Sequence, residues 1–323
     1  MRTVLAVDGG NSKTDIALVA EDGSVLATGR GGAFQPQSTG VGVAIDVIGD
    51  AARSALGPAS APPYADHVAA YVAGADLPVE EEALRAEILS RGYGREATVG
   101  NDTFALLRAG ASGPAGVAVV CGAGINAVAV SPSGEVARYP ALGRLTGDWG
   151  GGLGLGEETL WHAVRAEDGR GPATALAAGV REHFGTGTVE EVSLAVHFGE
   201  LPYGRLNELV PVLMAVAGQG DGVARSVVAR MAEEVVVLAV VAMRRLDVLS
   251  VPMEVVLGGG VLTARDPLMS ELLERGFAES APQAKLIVAD VAPIMGAALL
   301  GLDALGATEE ARARLRGHFH ALT

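Results

Sequence analysis

The chain has 323 residues, 49% of them hydrophobic, and a formal net charge of −14. Its length suits one large or two medium domains, and its apolar content supports a sizeable core rather than disorder. The acidity argues against nucleic acid or an anionic membrane as main partner, and the single cysteine, Cys121, leaves neither an internal disulfide nor a thiolate zinc cluster.

In chain order, Val4 to Val7 is an apolar run that reads as a buried strand and is too short for a secretory signal. It ends in Asp8-Gly9-Gly10-Asn11-Ser12-Lys13-Thr14, where glycines let the chain turn and short polar side chains can meet phosphate oxygens. Ile16 to Val19 is apolar again, so the loop joins two strands, whereas a P-loop or dinucleotide fingerprint opens a helix. Lys13 and Lys285 are the only lysines, which sets the loop lysine apart. A third strand is expected over Ser24 to Thr28, then a helix over residues 40–56 that Gly57-Pro58 stops. His67 to Val72 is a strand running into Gly74-Ala75-Asp76, and a helix follows with Leu84, Ile88 and Leu89 on its buried side. Ala97 to Val99 then leads to Asn101-Asp102 and a helix over residues 103–109. This alternation implies a layered α/β domain.

The opening pattern returns at Val117 to Asn126, with Gly122 on Gly9 and Cys121 on Asp8, about 113 positions on. A duplicated domain follows from it, with residues 1–115 (completed by a helix over 307–323) and 116–306 as the two parts. Cys121 to Ala127 also fits a relaxed dinucleotide fingerprint, but Ala127 to Val130 reads as a strand and not the helix that motif needs. Residues 147–157 are too glycine-dense for regular structure and read as a loop, with a helix starting near Glu157. Further helices are expected over 172–184, 189–198, 206–217, 221–246 and 267–278. Glu254 to Val261 is a third strand running into glycines, and residues 285–289 are a last strand. No apolar run reaches the ~20 residues of a membrane helix. The closing helices part at Gly306, and Gly296, Ala297, Ala298 and Gly301 allow close packing in the first of them.

Three glycine loops at strand ends in a duplicated α/β chain resemble the sugar kinase/Hsp70/actin superfamily, and the resemblance covers nearly the whole chain. Asp8 to Thr14, Asn101-Asp102, Cys121 to Asn126, Gly147 to Gly152 and Leu257 to Val261 fall in its order. They resemble its first phosphate loop, first connecting segment, second phosphate loop, sugar loop and adenosine loop. Within it the chain is most similar to the N-acetylglucosamine kinase and BadF/BadG/BcrA/BcrD ATPase group, particularly actinobacterial glucosamine kinases. The resemblance implies duplicated ribonuclease H-like (actin-like ATPase) domains, each a mixed sheet flanked by helices, with a cleft between them. It implies ATP-dependent phosphorylation of an amino sugar at its 6-hydroxyl, D-glucosamine first, with N-acetylglucosamine or glucose as alternatives.

Carried onto this sequence, the resemblance implies Asp102 as the base and Asp8 as the Mg²⁺ ligand. Asn101, Asp148, Glu157, Gly74 and Asp76 become sugar contacts. Gly9, Gly10, Asn11, Ser12, Lys13, Thr14, Gly122, Ala123, Gly124, Asn126, Gly259 and Gly260 become the ATP site. Read from the residues alone, Asp102 also suits a helix N-cap, Glu157 a first-turn acid, and Trp149 either a sugar platform or core. Members acting on N-acetylglucosamine carry an acid after the Gly-Asp of the sugar loop, where this chain has Trp149. That departure points to the unacetylated sugar, whose ammonium Asp148 or Glu157 would meet. Expected partners are an amino sugar and ATP in a soluble cytoplasmic protein, without nucleic acid or membrane and with room for a homodimer. The rival readings are a dehydratase activase, which needs cluster cysteines that Cys121 alone does not supply, and a nucleotide-gated sensor.

Overall fold

The structure, a computed structural model, describes residues 1–321, so the end of the expected 307–323 segment lies outside the described residues. Contacts divide the chain into two units: residues 1–118, 130–140 and 289 onward, and residues 119–129 with 141–288.

The first sheet contains β1 (Thr3–Gly9), β2 (Thr14–Ala20), β3 (Val25–Gly31), β4 (Ala65–Val72) and β5 (Gly94–Asn101), in the order β3-β2-β1-β4-β5. β2 runs antiparallel to β1 and β3, while β1, β4 and β5 are parallel. Val4 to Val7 are fully buried because β1 is central and covered on both faces. The pleat sends Leu5 and Val7 to a core that includes Phe34, Ile45, Ile48 and Leu84. The helices on the connections of this sheet are α1 (Pro36–Thr39), α2 (Val41–Leu56), α3 (Pro78–Ser90) and α4 (Asp102–Gly110).

The second sheet contains β6 (Gly116–Cys121), β7 (Ile125–Val130), β8 (Val136–Arg138), β9 (Met253–Gly258) and β10 (Ala284–Val288). Its order, β10-β9-β6-β7-β8, is that of the first sheet read from the other edge, so the repeat seen in the sequence is a repeat of topology. β7 confirms that the Cys121 loop enters a strand and not a nucleotide-binding helix. Between β8 and β9 come α5 (Gly151–Glu167), α6 (Leu176–Phe184), α7 (Val189–His197), α8 (Val210–Gly218) and α9 (Gly222–Arg245). A 3-10 segment, Tyr203–Leu209, precedes α8 where one continuous helix was expected. Asp221 starts α9 by accepting from the Ala224 amide at 2.9 Å. α10 (Gly260–Thr263) and α11 (Pro267–Ser280) complete the second unit.

α12 (Pro293–Ala304) and α13 (Glu309–His320) return to the first unit, so the exchange comes near residue 289 and not at 307. The small residues of α12 explain this. A Cβ on Gly296 would fall 1.8 Å from the Ala105 carbonyl oxygen, and one on Gly301 2.3 Å from Val4. The helix lies directly on α4 and on the Val4–Ala6 face of β1. Among the described residues, no helix is long and apolar enough to cross a membrane.

Candidate active site

In the first unit, the C-terminal ends of the parallel strands β1, β4 and β5 carry Asp8, the Gly74–Asp76 loop and Asn101-Asp102. Strand ends of this kind are where open α/β sheets place ligands. Asn101 is the N-cap of α4, with Oδ1 accepting from the Thr103 amide at 3.0 Å and hydroxyl at 2.6 Å. Its Nδ2 donates to Asp76 at 2.7 Å, which joins two of the expected sugar contacts. The Gly74 carbonyl accepts from Gln37 at 2.9 Å, a residue without a recognisable signal in the sequence.

Capping by Asn101 leaves the Asp102 carboxylate without that structural task. Burial pushes Asp102 up to about 6, against the pull of the Thr103 and Asp102 amides. Asp8 faces Asp15 across β1 and β2 and rises to about 7, through burial first and then the negative charges of Asp102 and Asp15, with Lys13 opposing. Asp8 and Asp102 thus both carry raised carboxyl groups, with Asp102 acting on Asp8, a pair that fits a divalent cation. Among the described residues no group of three or more His, Cys, Asp or Glu could hold a metal alone. A Mg²⁺ held by one or two carboxylates, with waters and phosphate oxygens completing its shell, suits such a donor set.

The first glycine loop closes through Gly10 N–H donating to the Lys13 carbonyl at 2.8 Å. A Cβ on Gly9 would meet Val72 at 2.8 Å, so this glycine is required by packing. Asn11, Ser12 and Lys13 are exposed. Lys13 Nζ lies 2.6 Å from Asp15, which Arg30 also meets at 2.5 Å. Burial raises the Asp15 carboxyl, but these two cations outweigh it and hold it below the usual range. Thr14 is fully buried and donates to the Gly32 carbonyl at 2.9 Å. Its hydroxyl is therefore not presented to a phosphate, contrary to the expectation for this residue.

In the second unit, residues 147–157 are not one long loop, because α5 begins at Gly151. The glycines serve close backbone approach. Gly151, at φ +73°, would place a Cβ 2.5 Å from Gly124, and a Cβ on Gly156 would fall 2.0 Å from the Leu206 carbonyl oxygen. The Gly152 and Leu153 amides donate to the Gly122 and Ala123 carbonyls at 2.7 and 3.0 Å, which fixes the second glycine loop against the start of α5. Gly259, at φ +83°, would set a Cβ 2.4 Å from the Cys121 backbone, so the adenosine-loop candidate abuts the same loop. Nothing lies within 4 Å of a Cβ built on Gly122, Gly124 or Gly260, which leaves open space where a ligand can approach. Asn126 accepts from the Ala127 amide at 2.7 Å. Cys121 is buried and its thiol is pushed up to about 12, so it is no nucleophile.

Beside this loop lies a cavity of about 250 Å³, lined among others by Gly124, Arg144, Asp148, Trp149 and Glu157. Asp148 accepts from the Thr146 hydroxyl at 2.8 Å, and Glu157 from the Tyr203 hydroxyl at 2.8 Å. Trp149 is 7% exposed under the Arg230 guanidinium, 4.1 Å from its ring centre. It is a wall of the cavity and not an open stacking platform. Arg144, Tyr203 and Arg230 were not anticipated. Tyr203 and Arg230 come from segments distant in sequence, while Arg144 stands four residues before Asp148 in a stretch with no recognisable motif.

The sequence profile of the BadF/BadG/BcrA/BcrD ATPase family matches residues 5–301. The N-acetyl-D-glucosamine kinase of Dictyostelium discoideum is 28% identical over 64% of this chain, which spans 65% of that protein's length. The N-acetylmuramic acid/N-acetylglucosamine kinase of Clostridium acetobutylicum is 24% identical over 72% of this chain and 77% of its own. Among solved structures, one from Chromobacterium violaceum assigned as an N-acetylglucosamine kinase superposes with TM-score 0.73 at 23% identity, over 93% of this chain and 99% of that one. A ROK family glucokinase from Streptomyces griseus, in complex with glucose and AMPPNP, gives 0.51 at 18% identity, over 94% and 99%. These two structural likenesses establish the duplicated actin-like fold.

Proposed function

Because the chain belongs to the BadF/BadG/BcrA/BcrD ATPase family, we propose that it phosphorylates an amino sugar at its 6-hydroxyl with ATP. The observation that carries this reading is Asp102, a carboxylate at the first residue of α4 that is not its N-cap and that burial pushes up to about 6. A base is most effective when its pKa lies near the working pH. The sugar O6 attacks the γ-phosphorus, an O6–P bond forms, the bond to the β,γ-bridging oxygen breaks, and ADP leaves. The O6 proton passes to the Asp102 carboxylate. Catalysis of this kind is largely positioning and charge neutralisation.

The amides of the loop at 9–13 in the first unit suit phosphate oxygens, as do those at 122–124 in the second, where Gly259 and Gly260 let a nucleoside approach the backbone. Lys13, itself half exposed, can turn from the buried Asp15 to a phosphate because Arg30 remains on that carboxylate. Asp8 would hold Mg²⁺, which supplies neutralisation of the triphosphate. In the second unit Asp148 and Glu157, and in the first Asn101, Asp76 and the Gly74 carbonyl, are each acceptors suited to sugar hydroxyls.

D-Glucosamine is the acceptor this reading favours, since Asp148 and Glu157 give its ammonium carboxylate partners and Trp149 stands where an acid follows the Gly-Asp in N-acetylglucosamine kinases. The names of the relatives favour N-acetylglucosamine instead. ADP release by the purified protein, measured with glucosamine, N-acetylglucosamine, glucose and no sugar, decides between them. Release should depend on sugar and be fastest in kcat/KM with glucosamine. Sugar-independent release refutes the kinase reading, and a higher kcat/KM for N-acetylglucosamine reassigns the acceptor.

A further inference from the structure

A second recess in the same unit adjoins the Asp148 cavity through one shared side chain. Glu157 lines both. The recess has a volume of about 360 Å³, and Trp161, Tyr203, Arg165 and Arg170 are among its walls. Trp161 is 52% exposed and Tyr203 54%, a large share of surface for aromatic side chains. Trp161 lies four residues after Glu157 in α5, so both occupy one face of that helix. The Arg165 guanidinium sits 4.6 Å from the Trp161 ring centre and donates to the Arg170 carbonyl at 2.7 Å, which restrains the indole. Tyr203 is restrained by its 2.8 Å hydrogen bond to Glu157.

The combination matches one kind of ligand. A pyranose ring presents apolar C–H faces, which stack on aromatic rings, and a rim of hydroxyls, which need donors and acceptors. Here aromatic surface, arginine donors and a carboxylate acceptor stand together. The Asp148 cavity alone, about 250 Å³, is below the ~300–1,000 Å³ usual for small-molecule sites, so a larger substrate would use the adjoining space.

Resting on the kinase reading above, we infer that the Trp161–Tyr203 recess is a second sugar subsite and that the chain accepts an amino-sugar disaccharide. One ring occupies the Asp148–Glu157 cavity and is phosphorylated at O6 by the step already written. The other ring stacks on Trp161. Glu157, between the two spaces, serves both rings.

The test compares ADP release with glucosamine and with its β(1→4)-linked disaccharide, in the wild type, Trp161→Ala and Trp161→Phe. The wild type should turn over the disaccharide with kcat/KM at least equal to that for the monosaccharide. Trp161→Ala should lower the disaccharide-to-monosaccharide ratio of kcat/KM at least tenfold, and Trp161→Phe, which keeps a ring, should restore most of it. Turnover of glucosamine without turnover of the disaccharide overturns the inference, as does a ratio that Trp161→Ala does not move or that Trp161→Phe fails to restore. Turnover of neither sugar overturns the inference, and it fails the kinase reading as well where N-acetylglucosamine is not turned over either.

Discussion

At the scale of single residues, the decisive contrast is between Asn101 and Asp102. Both are residue types that cap helices, so the sequence shows a helix start without showing which of the two is consumed by it. The 3.0 Å bond from the Thr103 amide makes Asn101 the cap, and Asp102 beside it is the proposed base. Asp102→Asn keeps the shape and removes the base. It should lower kcat by 10²–10⁴-fold, the usual contribution of a positioned base, while ATP affinity measured by calorimetry stays within a few-fold. Because the free enzyme holds Asp102 at about 6, kcat/KM should fall as pH drops through that value, and this limb should vanish in the variant. A residual activity with an unchanged acid limb would assign the base elsewhere. Thr14 shows the opposite limit of reading residue types. Its hydroxyl looks like a phosphate contact in the sequence, and the fold buries it on Gly32.

At the scale of elements, the glycines explain both the success and the failure of the sequence reading. Hydrophobic runs ending in glycine located β1, β6 and β9 because strand burial and a tight exit leave a local trace. The start of α5 left none. Glycine costs a helix about 1 kcal/mol relative to alanine, so residues 151–156 read as loop. What overrides this is contact with the backbones of Gly124 and Leu206, residues remote in sequence. The contrast between Gly259 and Gly260 makes this testable. Gly259→Ala meets both a positive φ of +83° and the Cys121 backbone, and should destabilise by on the order of 1–3 kcal/mol in chemical denaturation. Gly260→Ala meets no neighbouring atom and should keep wild-type stability while raising the KM for ATP. Equal stability losses in the two would remove the packing account of Gly259.

At the scale of the whole molecule, the duplication was readable because two glycine loops repeat at a fixed interval, and both sheets share one strand order. The copies are not equivalent, since Cys121 stands where Asp8 does, and the charge strain falls on one copy alone. That strain couples to global stability. Asp8 binds its proton more tightly folded, at about 7, than unfolded, near 3.8. Between those values the native state holds more protons than the unfolded state, so stability falls as pH rises through this window. The metal-free protein should therefore have a higher Tm near pH 5 than near pH 7.5. Asp8→Asn should remove a share of this slope on the order of 1–3 kcal/mol, and Mg²⁺ added at pH 7.5 should raise the Tm of the wild type more than that of the variant. A wild-type slope that Asp8→Asn leaves intact would locate the strain at another carboxylate.

The return of α12 to the Val4–Ala6 face also bears on how the molecule is made. Residues 289 onward leave the ribosome after the second unit, yet Val4 and Ala69 lack the cover of α12 until Gly301 arrives. The first unit to be translated is thus completed only after the second has emerged, and domains normally fold as units during synthesis. A nascent chain stopped at residue 288 would expose the α12 face of its central strands, which makes α12 and α13 a checkpoint on synthesis past the second unit.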